Sequence, residues 1–293
     1  MNLLSFGEII WDVFGEQSKI GGAPLNLAAH VALQGGSAWM ASGVGDDALG
    51  KEALDCLQAL GVNNEYVSVS PTNPTGQCIV SLDENGIPSY KILENTAYDH
   101  TVLPATLTSP FDVIAFGTLA LRGEENRNAL EAVLRNNRFD EVYTDLNIRA
   151  PFYSEAAIDL CLSHATVAKI SDEELPLVTK TVFGTVHDPL DAAKMISKRY
   201  PQIRLILITK GADGAFCYEC KEKEVYRCAA EPATVKSTVG AGDSFGATFL
   251  TQYLKTKDIP RSMRLASKVS AFVVSHQEAI PPRMKEFIQE VID

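Results

Sequence analysis

The segment 237–246, STVGAGDSFG, holds the residues best suited to chemistry. Gly240 and Gly242 open a run that reads as a helix, and glycine there lets backbone N–H groups turn toward an anion with no side chain in the way. The helix dipole strengthens such a site by about 0.3–1 kcal/mol when exposed and up to about 2 kcal/mol when partly buried. Asp243 stands at the same helix start. One reading makes it a base that takes a proton from a reacting hydroxyl; the other makes it an N-terminal cap, for which aspartate is among the best residues. A third reading takes the glycines as a dinucleotide-binding turn, but their G-x-G-x-x-x-G spacing is longer than that fingerprint and no convincing βαβ unit follows.

Other candidates lie upstream. Asp12 and Asn26 pair acceptor and donor groups in the way that suits a vicinal diol. Taken singly, Asp12 also suits a strand end and Asn26 a first helical turn. Arg149 suits a surface ion pair, Glu174 a solvated helix start, and Gly211 and Gly214 an ordinary turn. Phosphoryl transfer needs an in-line hydroxyl, positive or dipolar groups around the moving phosphoryl, a nucleotide-bound metal and a base. The chain offers a candidate for each.

TVGAGDSF at 238–245 resembles the C-terminal signature of the ribokinase-like, or PfkB-type, carbohydrate kinases. GGAPLNLA at 21–28 followed by GVGDDALG at 43–50 resembles the other signature of that family, in the expected order. The resemblance implies an α/β fold with a central, mostly parallel sheet flanked by helices and a small β lid. It implies Asp243 as catalytic base, with the amides of Gly240, Ala241 and Gly242 as an anion hole. It places Asp12, Gly21, Gly22 and Asn26 on the sugar. Through the D-x-N-x-R segment at 145–149 it brings Asn147 and Arg149 to substrate or phosphates. KISDEE at 169–174 is similar to the stretch ending in a Mg²⁺-linked glutamate, which implies Lys169 near the nucleotide and Glu174 as an indirect metal residue. Thr209, Lys210, Gly211 and Gly214 resemble the nucleotide-binding turn. The implied cofactors are ATP and Mg²⁺.

Three positions depart from the commonest family pattern. Ser237 stands where a carboxylate often helps to build a monovalent-cation site, which leaves that cation open. Ser171 replaces a frequent asparagine, as in fructokinase-like members. Glu278 stands where glycine is usual, and near an adenine pocket it would alter nucleotide affinity. The motifs as a set look most like fructokinases, so fructose to fructose 6-phosphate is the expected reaction. Ribose, a 2-keto-3-deoxy sugar acid or a nucleoside are alternative acceptors, and a non-catalytic sugar- or nucleotide-binding regulator is the rival from another class. Cys217 and Cys220 form a C-x-x-C without a second pair to complete a zinc site. There is no P-loop motif.

The elements that must position these residues read as alternating strands and helices, with strands expected at 3–9, 38–42, 113–116, 142–145, 167–170 and 205–209. Helices are expected at 25–33, 50–60, 124–136, 154–163, 190–199, 244–254 and 261–276. A hairpin around 83–86 breaks the rhythm, and a lid is expected at about 67–93, joined by 10–15. A single domain spanning 1–293 accommodates all of this, with a homodimer through the lid as an expected assembly. The 293 residues carry a net charge of -11 and no basic stripe, which argues against nucleic acid or an anionic membrane as partner. The apolar segment 3–13 contains Glu8 and Asp12 and lacks a basic n-region, so neither a leader nor a membrane span is expected there. The six cysteines suit a reducing cytoplasm.

Overall fold

The computed structural model describes residues 1–15, 17–82 and 88–292. From the N-terminus run β1 (Asn2–Phe6), β2 (Ile10–Phe14), β3 (Gln17–Gly21), α1 (Ala23–Leu33), β4 (Ser37–Gly45), α2 (Ala48–Ala59) and β5 (Val62–Ser70). Strands β6 (Gly76–Leu82), β7 (Pro88–Ile92) and β8 (Val113–Phe116) follow, then α3 (Glu124–Asn136), β9 (Glu141–Asp145), α4 (Glu155–His164) and β10 (Val167–Ser171). The last part comprises α5 (Leu175–Phe183), α6 (Pro189–Arg199), β11 (Leu205–Thr209), β12 (Ala215–Glu219), β13 (Glu224–Cys228), α7 (Ala241–Thr256), α8 (Ile259–Val274) and α9 (Met284–Ile292).

The main sheet has nine strands in the order β13-β12-β11-β10-β9-β8-β1-β4-β5. From β11 to β5 every neighbouring pair is parallel; β12 and β13 close one edge antiparallel. Its central strands are covered on both faces, which is why VIAF is apolar throughout and LILIT is apolar up to its last residue. Adjacent residues nonetheless serve opposite layers. Leu4, Ile114 and Ile206 pack with α3, α4 and α6, whereas Leu3, Val113 and Leu205 pack beneath α1 and α7. All parallel strands therefore end on one edge, where crossover connections leave room for a ligand.

The second sheet is small, with order β3-β2-β6-β7, and stands apart from the first. Its β2 and β6 run parallel, and each carries an antiparallel partner. Two expectations change here. The strand expected at 3–9 stops at Phe6, because Gly7 passes so close to α1 that a Cβ would lie 2.4 Å from Pro24 Cγ, and the chain leaves for the other sheet. Residues 67–70 of the expected lid belong to β5 and pair with β4 in the main sheet. The segment 10–15 does contribute, as β2, and brings β3 with it. The hairpin turn at 83–86 lies outside the described residues. All six cysteines are free. Among the described residues no helix is long and apolar enough to cross a membrane.

Candidate active site

Helix α7 starts at Gly240, whose φ of 78° puts it in the left-handed region where glycine alone is unstrained. A Cβ there would also lie 2.6 Å from Ala279 Cβ. The helix has no side-chain cap, and Asp243 does not supply one. Instead Asn26 Nδ2, from α1, donates to Asp243 Oδ2 at 2.8 Å. Asp243 thus stays in the first turn of α7 while its carboxylate is held from α1. Burial raises the Asp243 carboxyl above its usual range, partly offset by the Asn26 hydrogen bond and the positive charges of Lys169 and Arg149. The Ala241 amide is committed to Thr238 O at 3.2 Å, so the amides left for an anion at this turn are those of Gly240 and Gly242.

Beneath the turn lies a buried ion pair. Lys169 and Asp145 face each other across the β9–β10 ladder, and Lys169 Nζ donates to Asp145 Oδ2 at 2.7 Å. Burial would depress the ammonium, but Asp145, Glu174 and Asp243 together hold it above its usual range. A Cβ on Gly242 would stand 3.1 Å from Lys169 Nζ. The glycine thus brings the ammonium close beneath the anion turn. Glu174, at the start of α5, accepts from the Ser171 amide and from Ser171 Oγ, each at 2.8 Å, and from the Ile148 amide. Its carboxylate is fixed, and among the described residues no group of three His, Cys, Asp or Glu is placed to hold a metal by itself.

The opposite wall carries the sugar candidates. Asp12, on β2, pairs in register with Cys78 on β6; burial raises its carboxyl, against the pull of the Cys78 thiol and Arg149. Gly22 has φ 115°, and a Cβ there would meet Glu8 O at 2.4 Å. One cleft of about 1740 Å³ is lined by Asp12, Gly21, Gly22, Asn26, Asn147, Arg149, Lys169, Glu174, Thr209, Gly211, Gly214 and the 240–243 turn. Every sequence-derived candidate except Lys210 is on its wall. Lys210 turns instead within a tight loop, where its amide donates to Gly214 O at 2.8 Å. Glu278, expected near an adenine pocket, also lines the cleft and lies 3.9 Å from Lys19 of β3.

Three side chains escaped the sequence reading as individual actors. Asp145 stood in a recognised segment, but its partner Lys169 is distant in sequence and adjacent only through strand order. Tyr143 has a buried hydroxyl without a partner among the described residues, close under Gly246 of α7. Glu8 left the clearest trace, a carboxylate inside the apolar run 3–13. It is 4% exposed, accepts from the Ala23 amide at 3.3 Å, and is pushed by burial to about 7.

The model of the pfkB family of carbohydrate kinases matches residues 2–286. The chain belongs to that family. As a pfkB-family carbohydrate kinase it is 28% identical to a fructokinase of Escherichia coli over 279 residues, covering 89% of this chain and 87% of that protein. It is 26% identical to a probable fructokinase-5 of Arabidopsis thaliana over 312 residues, covering 95% and 93%. Its fold matches a Vibrio cholerae fructokinase double mutant holding fructose, ADP and potassium, with TM-score 0.84 at 20% identity over 100% of this chain and 98% of that one. It also matches the aminoimidazole riboside kinase of Salmonella enterica, with TM-score 0.80 at 20% identity over 98% and 100%.

Proposed function

We propose that this kinase transfers the γ-phosphoryl group of ATP to a hydroxyl of a small sugar, with fructose, converted to fructose 6-phosphate, as its best acceptor. The observation that carries the reading is the Asp243 carboxylate, held by Asn26 at 2.8 Å instead of capping its own helix. Its Oδ1 has no hydrogen-bond partner among the described residues and is left to receive the proton of the acceptor hydroxyl. As that proton moves to Oδ1, the hydroxyl oxygen bonds to phosphorus, and the bond to the bridging oxygen breaks with its electron pair leaving on ADP. Gly240 and Gly242 amides, with Ala241 between them, face the charge that gathers on the transferring group. Lys169 supports that turn from below. Asp12, Gly21, Gly22 and Asn26 orient the sugar, Asn147 and Arg149 complete that side, and Thr209, Gly211 and Gly214 border the nucleotide.

Mg²⁺ fits this cleft as an ion carried in on the nucleotide, because such an ion keeps phosphate and water ligands and needs few from protein. Glu174 would hold it through water, its carboxylate being already fixed by Ser171 and Ile148. When bound, the ion neutralises phosphate charge. A cytoplasmic location and a homodimer through the small sheet accompany the reading; Phe14, 45% exposed on β2, supports such an assembly, which light scattering would measure. A panel of sugars assayed for ADP release tests the acceptor. Fructose should give the highest kcat/KM, and equal or higher efficiency with ribose would overturn the fructose assignment while leaving the kinase intact.

A further inference from the structure

Behind the cleft, a recess shares Glu8, Ala23, Leu119, Asp145 and Asn147 with it and reaches inward to Ser5, Thr118 and Tyr143. Most of its polar groups are spent. Ser5 Oγ donates to Pro24 O at 2.8 Å, Thr118 Oγ1 donates to Leu146 O at 2.7 Å, and Asp145 holds Lys169. What remains on the cleft side is complementary: the Glu8 carboxylate as acceptor and the Asn147 amide as donor, while the Tyr143 hydroxyl, without a partner among the described residues, lies deeper in a recess of about 20 Å³. Among the described residues the Glu8 carboxylate accepts one hydrogen bond, from the Ala23 amide at a long 3.3 Å. A buried carboxylate so thinly supplied is costly unless a further donor arrives.

We propose that Glu8 is a specificity-determining residue of the acceptor site, taking a hydrogen bond from a sugar hydroxyl other than the one that reacts, with Asn147, on the same cleft, donating to the same end of the sugar. The proposal rests on the sugar-kinase reading above. The charged and titratable groups that face Glu8 are Arg149, after β9, Asp243 on α7 and Tyr98, after β7. Burial leaves Glu8 half-ionised near neutrality, at about 7. A donating hydroxyl favours the carboxylate, so sugar binding releases a proton and weakens as the pH falls below that point.

Glu8→Gln retains the size and an acceptor for the Ala23 amide but not the charge. The full-length protein and this variant should be compared for kcat, sugar KM and ATP KM from pH 6 to 8, with the best acceptor of the panel and with its monodeoxy analogues. The variant should raise the sugar KM about tenfold or more, the scale of one charge-assisted hydrogen bond. ATP KM should stay within about twofold, and the rise in sugar KM toward pH 6 should flatten, as a group that binds only sugar requires. One monodeoxy analogue should lose affinity against the parent and show no further loss against Glu8→Gln. An unchanged sugar KM with only an altered melting temperature would reduce Glu8 to a tether for α1 and overturn the proposal. So would equal losses for every analogue in both proteins. Failure of the kinase reading looks different, since the parent itself would then release no ADP with any sugar.

Discussion

The cleft wall at the ends of β9, β10 and α7 holds its polar groups in tight pairs: Lys169 on Asp145 at 2.7 Å, Asn26 on Asp243 at 2.8 Å, Ser171 on Glu174 at 2.8 Å. The wall built on the small sheet does the reverse. Asp12 is only half-buried, and Lys19 reaches the main body at Glu278 across 3.9 Å, with both side chains about half exposed at 47% and 48%. Groups that must hold their positions closely are best carried on packed strand ends and a helix start, as these are. The small sheet stands apart from that core, so its side chains can change without disturbing the packed wall.

If the paired wall carries the chemistry, its largest response should come from Asp243→Asn. The amide cannot accept the proton, and kcat should fall by roughly 10²–10⁴ under saturating ATP and sugar. The melting temperature should move little, since the new amide oxygen can still accept from Asn26 Nδ2 and burial favours a neutral group there. Turnover within about threefold of the parent would place the base elsewhere, because losing a general base costs at least about a hundredfold.

Next comes the pair beneath the turn. Lys169→Met leaves Asp145 buried and uncompensated, and should cost about 3–5 kcal/mol of stability in a denaturant titration. Adding Asp145→Leu should recover much of that loss while leaving activity low, since the missing ammonium and not the fold would then be limiting. A single variant as stable as the parent would show that the paired wall is not locked in the way its geometry implies.

Glu8 lies between the two walls and should show a smaller, pH-dependent effect. Its folded carboxyl is raised from 4.5 to about 7, so the folded state holds the proton more tightly than the unfolded chain. Stability must then fall as pH rises through that window, by up to about 3 kcal/mol, and stay lower above it. Glu8→Gln has no such loss. Its melting temperature should match the parent near pH 4.5 and exceed it at pH 8; a constant difference across that range would contradict the burial.

The contrast between the walls also marks how far the sequence could be read. The helix at 124–136 appears at its expected bounds, and the central strands and the 237–246 turn were legible because period, glycine placement and apolar runs are local signals. Strands β12 and β13 were not anticipated, since an edge strand such as EVYRC carries polar residues that mask the pattern. Helix α5 was missed behind its acidic start. In the site, glycine turns and single carboxylates were visible, but the partners were not. Asn26 lies 217 positions from Asp243, and Lys169 meets Asp145 only through the order of β9 and β10 in the sheet. Glu278 shows the same limit: its departure from the family pattern was plain, but its partner on β3 was not.

The smallest effect should come from that bridge. Lys19 and Glu278 are both about half exposed, and their 3.9 Å separation is at the outer edge of an ion pair. Exposed pairs of this kind contribute about 0.2–1 kcal/mol, with salt reducing even that. Glu278→Gly, restoring the residue usual in the family, should therefore leave the melting temperature almost unchanged. It frees Lys19 on the small sheet, so whatever change occurs should fall on the sugar side. Sugar KM should shift by no more than about fivefold, the limit set by about 1 kcal/mol, and the shift should vanish in high salt. Lys19→Ala should reproduce it, and the double variant should add nothing further, because both remove one contact. If Glu278 instead acts on the nucleotide, Glu278→Gly will change ATP KM while Lys19→Ala leaves it alone. Equal ATP KM in all three proteins, with a matched and salt-sensitive change in sugar KM, would assign the bridge to the wall that recognises the acceptor.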